Sequence, residues 1–121
     1  MKDSIVGDKS LEFAKRIVKC YKHLKTVKRE SVISTQLLRS GTSVGANIRE
    51  GLYAQSRKDF INKMNIALKE AGETDYWLEI LYSANYLMEK EYTSLKHDNT
   101  EIIRLLTSII NSSKNNKTIN Y

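Results

Sequence analysis

The chain has 121 residues, one cysteine, no proline, five glycines and a net charge of +6. That length fits one domain, excludes two ordinary ones, and can bury a core without metals or disulfides. The lone Cys20 excludes an internal disulfide, the absence of any run near the roughly 20 apolar residues of a membrane helix excludes that class, and the scarcity of turn residues excludes a strand-rich fold.

The first predicted helix runs from Asp8 or Ser10, either able to cap it, to Leu24. Leu11, Ala14, Val18 and Tyr21 form one apolar stripe, and Phe13, Ile17, Cys20 and Leu24 a second beside it. Its remaining face carries Lys15, Arg16, Lys19 and Lys22, and Lys25, Lys28 and Arg29 follow in the first connection. A second helix spans Glu30 to about Leu52, with Ile33 or Ser34, Leu37, Gly41, Val44 and Ile48 on one face. Gly41, Gly45 and Gly51 each cost a helix about 1 kcal/mol relative to alanine. Close approach of a neighbouring helix is the expected compensation.

Ser56 and Asp59 have the spacing of a capping box and open the third helix, predicted to about Asn85. Its stripe, Phe60, Met64, Ala67, Ala71, Thr74, Leu78 and Leu81, is the longest regular one in the chain. Ile66, Tyr76, Trp77, Ile80 and Ala84 fall off that stripe, which points to a subunit interface, where such aromatics are enriched. Asp75 flanks the apolar stripe and needs a partner, with Arg39 or Arg49 as candidates. After a polar turn around Glu89-Lys-Glu91, a fourth helix carries Leu95, Ile102, Leu106 and Ile109, widened by Ile103, Leu105 and Ile110. Residues 1–113 form the predicted domain and 114–121 a flexible polar tail. Short connections favour antiparallel neighbours, hence an all-α, up-down-up-down four-helix bundle.

Charge is uneven along the chain. Residues 1–69 hold 15 Lys/Arg against 6 Asp/Glu, and residues 70–121 hold 5 against 8. Such polarity points to a polyanion partner or to head-to-tail contact between subunits. Lys15, Arg16, Lys19, Lys22, Lys25, Lys28, Arg29, Arg39, Arg49, Arg57 and Lys58 are the candidate phosphate contacts. They lack interleaved aromatics or a base-reading motif, so binding would be backbone-directed and salt-sensitive.

No catalytic, metal or cofactor site is expected. His23 and His97 with one cysteine make no metal spacing, and Cys20 lies in an apolar stripe where a thiolate is disfavoured. Gly41-Thr-Ser-Val-Gly45 is too short for a phosphate loop and lacks its lysine. Glu70/Glu73 and Asp98/Glu101 could set four carboxylates between helices for Mg²⁺, as in all-α nucleotide pyrophosphohydrolases. The second pair is in swapped order, and such pairs are more often solvated faces. Without an apolar stretch at its start, the chain is expected in the cytoplasm.

The run Gln36-Leu-Leu-Arg39-Ser-Gly-Thr-Ser-Val-Gly-Ala-Asn47-Ile-Arg-Glu50-Gly51 is the most distinctive in the chain. With Ser56-Arg-Lys-Asp-Phe60 and Ala67-Leu-Lys-Glu70-Ala-Gly-Glu73-Thr-Asp-Tyr-Trp77-Leu78, it strongly resembles the four-helix-bundle proteins encoded in 23S rRNA intervening sequences. The resemblance spans about residues 11–112. It implies an antiparallel four-helix protomer in a ring-like homopentamer, a basic surface and a role with RNA. Accessory proteins of diversity-generating retroelements look like relatives, and there a similar pentamer works beside a reverse transcriptase and nucleic acid. The broader family often has proline before the second helix; this chain has none, which leaves the geometry of the first connection open.

Gln36, Arg39, Asn47 and Glu50 match the family motif, and with Asp75 they are expected in a polar network within or between protomers. The family brings no agreed catalytic residues. The expected function is therefore a non-enzymatic homo-oligomer that binds RNA, or a nucleic-acid-processing protein, through the basic first and second helices. A scaffold without nucleic-acid affinity and a Mg²⁺-dependent nucleotide hydrolase are the alternatives.

Overall fold

In the computed structural model, which describes residues 4–115, every regular element is helical. The four helices are α1 (Ile5–Thr26), α2 (Val32–Leu52), α3 (Arg57–Ser83) and α4 (Glu89–Asn115). They share one core, built from Phe13, Ile17 and Leu24 of α1, Leu37, Val44 and Ile48 of α2, Met64, Leu78 and Leu81 of α3, and Leu95, Ile102 and Leu106 of α4. No helix among the described residues is long and apolar enough to cross a membrane. The tail expected at 114–121 begins inside α4, which reaches Asn115, and its remainder lies outside the described residues.

Helix starts are where local chemistry departs from the expected boundaries. α1 is capped by Ser4, not Asp8 or Ser10: Ser4 is extended, and its hydroxyl accepts from the Gly7 amide at 3.0 Å. Asp8 falls in the first turn, where its charge favours the helix dipole. Ser10 is buried and donates to the Gly7 carbonyl. Ser56 caps α3 as its spacing predicts, accepting from the Asp59 amide at 3.0 Å. Glu89-Lys-Glu91 is no turn. Those residues open α4, whose first turn gains from their carboxylates, and Glu91 accepts from the Met88 amide. The reversal lies just ahead, at Asn85 with φ 68°.

The first connection is held by Glu30. Its carboxylate is buried and accepts from the amides of Val32, Ile33 and Ser34 at 3.1, 2.9 and 2.7 Å. Ser34 returns a hydrogen bond from its hydroxyl to the Glu30 carbonyl. No proline is required, because this one side chain satisfies three of the four amides that α2 leaves unpaired.

Of the two apolar stripes on α1, the one with Phe13, Ile17 and Leu24 forms the core. Leu11 stays 41% exposed, and Ala14, Val18 and Tyr21 are half-buried. The α2 glycines take the close approaches expected of them. A Cβ on Gly41 would stand 2.9 Å from Ile17, and one on Gly45 would stand 3.2 Å from the Ser10 carbonyl. Gly51 lies against Met64 and Lys63 of α3.

Gly72 has no such reason: it is exposed on α3, and a Cβ there would meet nothing within 4 Å. Gly72→Ala is expected to add about 1 kcal/mol of stability by removing glycine's helix penalty. Thermal unfolding checks this. A lower melting temperature would mean that this face is packed against another surface.

Candidate nucleic-acid interface

The basic candidates do not form one surface. α2 is 21 residues long, so its ends are about 30 Å apart at 1.5 Å per residue. Lys22, Lys25, Lys28 and Arg29 lie on the last turns of α1 and the connection after it, at one end of α2, with Lys19 nearer its middle, two residues past the Ile17 that meets Gly41. Arg49, Arg57 and Lys58 lie at the other, around the α2–α3 connection.

Pairing divides them further. Arg16 reaches Asp98 of α4 at 2.5 Å and the Ser94 hydroxyl at 2.9 Å. Lys15 pairs with Glu12 at 2.9 Å on the surface of its own helix. Arg39 is held by Glu70 and Glu73 of α3 and also touches Gln36 at 3.4 Å. Arg57 donates to the Ser113 carbonyl at 3.2 Å, tying the start of α3 to the end of α4. By contrast, Lys19, Lys22, Lys25, Lys28 and Arg29, and at the other end of α2 Arg49 and Lys58, are exposed and have no ion pair among the described residues. Lys25 lies 5.8 Å over the Tyr21 ring, a cation–π contact that leaves its charge in place. Between Phe13 and Arg29 the sequence contains no carboxylate.

The expected polar network resolves into separate contacts. Gln36 accepts from Arg39, which pairs with Glu70 and Glu73, and the Trp77 indole donates to the same Glu73 carboxylate at 2.9 Å. Asn47 bonds back to the Ser43 carbonyl of its own helix. Glu50 pairs with Lys63 at 3.0 Å. Asp75 finds neither Arg39 nor Arg49. It accepts from the buried Asn99 amide at 2.8 Å and lies 3.7 Å from Lys96, both on α4. Its neighbour Thr74 is the residue that faces α2, through the Ser40 hydroxyl at 3.0 Å. One position further along α3 turns the side chain by about 100°, which puts Asp75 on the α4 side.

The four carboxylates weighed as a Mg²⁺ site are likewise separated. Glu70 and Glu73 share a single cation, Arg39 of α2, whereas Asp98 and Glu101 pair with Arg16 and Lys9 of α1. Among the described residues no group of three or more His, Cys, Asp or Glu is placed to hold a metal ion. Cys20 sits in a cleft with Arg16, His23 and Glu91. Burial, reinforced by the nearby Glu91 and only partly opposed by Arg16, pushes its thiol up to about 11. Such a raised thiol disfavours the nucleophilic thiolate at neutral pH.

Of the candidate interface residues on α3, Tyr76 is 57% and Ile66 37% exposed. Trp77 is half-buried against the core with Tyr76 at its edge, ring centroids 5.0 Å apart. Ile80 is also half-buried. Sequence reasoning missed the role of Glu30 and the left-handed backbone of Arg29, φ 60°. The signal for both was a short connection without glycine or proline, in which some residue must turn the chain and some other must cap α2.

Residues 2–108 match the family described as 23S rRNA-intervening sequence protein. A solved structure from Bacteroides thetaiotaomicron, a protein of unknown function from the S23 ribosomal protein family, is 61% identical to the chain. The match covers 88% of this chain and 98% of that one, with a TM-score of 0.87. None of the curated proteins matches.

Proposed function

The chain belongs to the 23S rRNA-intervening sequence protein family, and from that premise we propose that it is a non-enzymatic, homo-oligomeric RNA-binding bundle of the cytoplasm. The observation that carries the RNA reading is the division among its cations. Arg16 and Arg39 are spent on carboxylates of the same chain, while Lys19, Lys22, Lys25, Lys28 and Arg29, which have no ion pair among the described residues, outnumber the unpaired Arg49 and Lys58 beyond the other end of the bundle. Unpaired, clustered cations release counterions when they meet phosphates, and that release drives sequence-independent binding.

The protomer reading is an up-down-up-down antiparallel bundle. Its support is the register of contacts, in which numbers rise on one helix as they fall on the next: Ser10 with Gly45 and Ile17 with Gly41, Arg39 with Glu73 and Glu50 with Lys63, Ala71 with Asn99 and Asp75 with Lys96. Self-association is supported by apolar surface left uncovered, Leu11 on α1 and Ile66 and Tyr76 on α3. Family resemblance puts the number of copies at five. The absence of chemistry is supported by carboxylates paired with cations on two separate faces and by the raised thiol of Cys20.

Sedimentation with a labelled RNA duplex of arbitrary sequence tests this reading. The protein alone is expected to sediment well above its 13.9 kDa chain mass. The RNA is expected to co-sediment at ~50 mM salt and to be released as salt rises. No RNA retained at low salt would leave the scaffold reading standing, and a stable monomer at micromolar concentration would remove the oligomer.

A further inference from the structure

Arg29 stands where an arginine is disfavoured. Its φ of 60° lies in the left-handed region, where a Cβ crowds the backbone and glycine or asparagine is the usual occupant. The α3–α4 turn shows the ordinary solution. There Asn85 has φ 68°, and the amide of Tyr86 after it closes on the Leu81 carbonyl at 2.9 Å. In the α1–α2 connection the left-handed residue is Arg29, one position further from its helix, and the amide of Glu30 after it closes on the Leu24 carbonyl at 2.9 Å.

No contact among the described residues accounts for an arginine there. Its side chain is exposed and has no ion pair among the described residues. The unfavourable backbone is nevertheless held firmly, because the adjoining Glu30 is fixed by three amides of α2. Strain maintained by its surroundings and unexplained by packing points to function.

We propose that Arg29 is a phosphate contact, its exposed side chain presented from the fixed backbone of the α1–α2 connection, next to Lys28 in sequence, to take an RNA backbone phosphate. A guanidinium can bind a phosphate through two parallel N–H bonds, which an ammonium cannot do. The fixed backbone spares the connection itself an ordering cost on binding. The assignment rests on the RNA reading above and narrows it to one residue.

Arg29→Gly, Arg29→Asn and Arg29→Lys separate the two, read by thermal unfolding and by anisotropy of the labelled RNA duplex across a salt series. Arg29→Gly and Arg29→Asn are expected to melt above the parent while binding RNA more weakly, with the slope of log affinity against log salt reduced by about one. Arg29→Lys is expected to keep the slope, bind more weakly than the parent, and gain no thermal stability. Lys58→Gln, at the opposite end of α2, is expected to bind like the parent. Parental affinity and slope in Arg29→Gly would overturn the assignment and leave the RNA reading intact. So would a lower melting temperature in Arg29→Gly and Arg29→Asn, which would make the arginine structural, or equal weakening by Lys58→Gln. Failure of the parent to bind RNA would remove both readings.

Discussion

Glu30→Ala is expected to cost about 2–3 kcal/mol, because three amides of α2 lose a charged acceptor inside a site that water barely reaches. Glu30 is only 7% exposed. For a chain of this size the melting temperature should fall by roughly 10 °C. Glu30→Gln keeps one acceptor oxygen and should lose less. The carboxylate also predicts a pH dependence. Burial by itself would raise its pKa, but the hydrogen bonds from Ile33, Ser34 and Val32 together outweigh it and hold the carboxyl below the ordinary value of 4.5. A depressed folded-state pKa gives stability that is complete above the unfolded value and is lost as pH falls through the folded one. The parent should therefore lose stability below about pH 4.5 more steeply than Glu30→Gln does. Chemical denaturation at a series of pH values measures this, and parallel curves for the two proteins would contradict the capping role.

Gly41→Val is expected to be comparably damaging for a different reason. A Cβ at Gly41 would stand 2.9 Å from both Cγ1 and Cγ2 of Ile17, a side chain with no exposed surface. Neither carbon has anywhere to move, so α1 and α2 must separate. Overpacking of this kind costs about 3 kcal/mol. The cause is testable by a double-mutant cycle. Ile17→Ala alone should lose about 2–5 kcal/mol by leaving a cavity. Combined with Gly41→Val, it should lose clearly less than the sum, since the valine fills the space the isoleucine vacates. Additive losses would mean that the glycine is there for another reason. Gly72 is the internal contrast, where a Cβ meets open space and stability should rise.

How far the sequence could be read depended on whether a feature was periodic or relational. The α3 stripe from Met64 to Leu81 was legible because apolar residues recur at helical spacing and all of them face the core. The glycines of α2 were legible because three helix penalties in one element demand close neighbours. The start of α1 was not, since Ser4 precedes Ile5, Val6 and Gly7, a first turn with little apolar periodicity. Asn99 escaped notice because a buried position in an apolar stripe is filled there by an amide, bonded to the Ala71 carbonyl and Asp75. It is also what draws Asp75 toward α4 and away from the arginines of α2.

The candidate interface was legible as a set of charges and illegible as a surface. Counting lysines and arginines cannot tell Arg39, which the register of α2 on α3 sets against Glu70 and Glu73, from Lys22, which has no ion pair among the described residues. Nor does a list show that Arg49 and Lys58 lie at the far end of α2 from Lys28. Both distinctions need the pairing of helices, which side-chain periodicity leaves undetermined. The unusual backbone of Arg29 likewise belongs to the folded connection and to Glu30 beside it.

The central claim is that RNA is met at the α1–α2 end, and a comparison of salt slopes between two charge-removed variants tests it most directly. One variant carries Lys22→Gln, Lys25→Gln and Lys28→Gln; the other carries Arg49→Gln and Lys58→Gln at the opposite end. The account predicts that the first loses most of its RNA affinity and that its slope falls by about two to three, while the second retains the parental slope. Equal slopes in parent and triple variant, or a larger loss in the double variant, would contradict it.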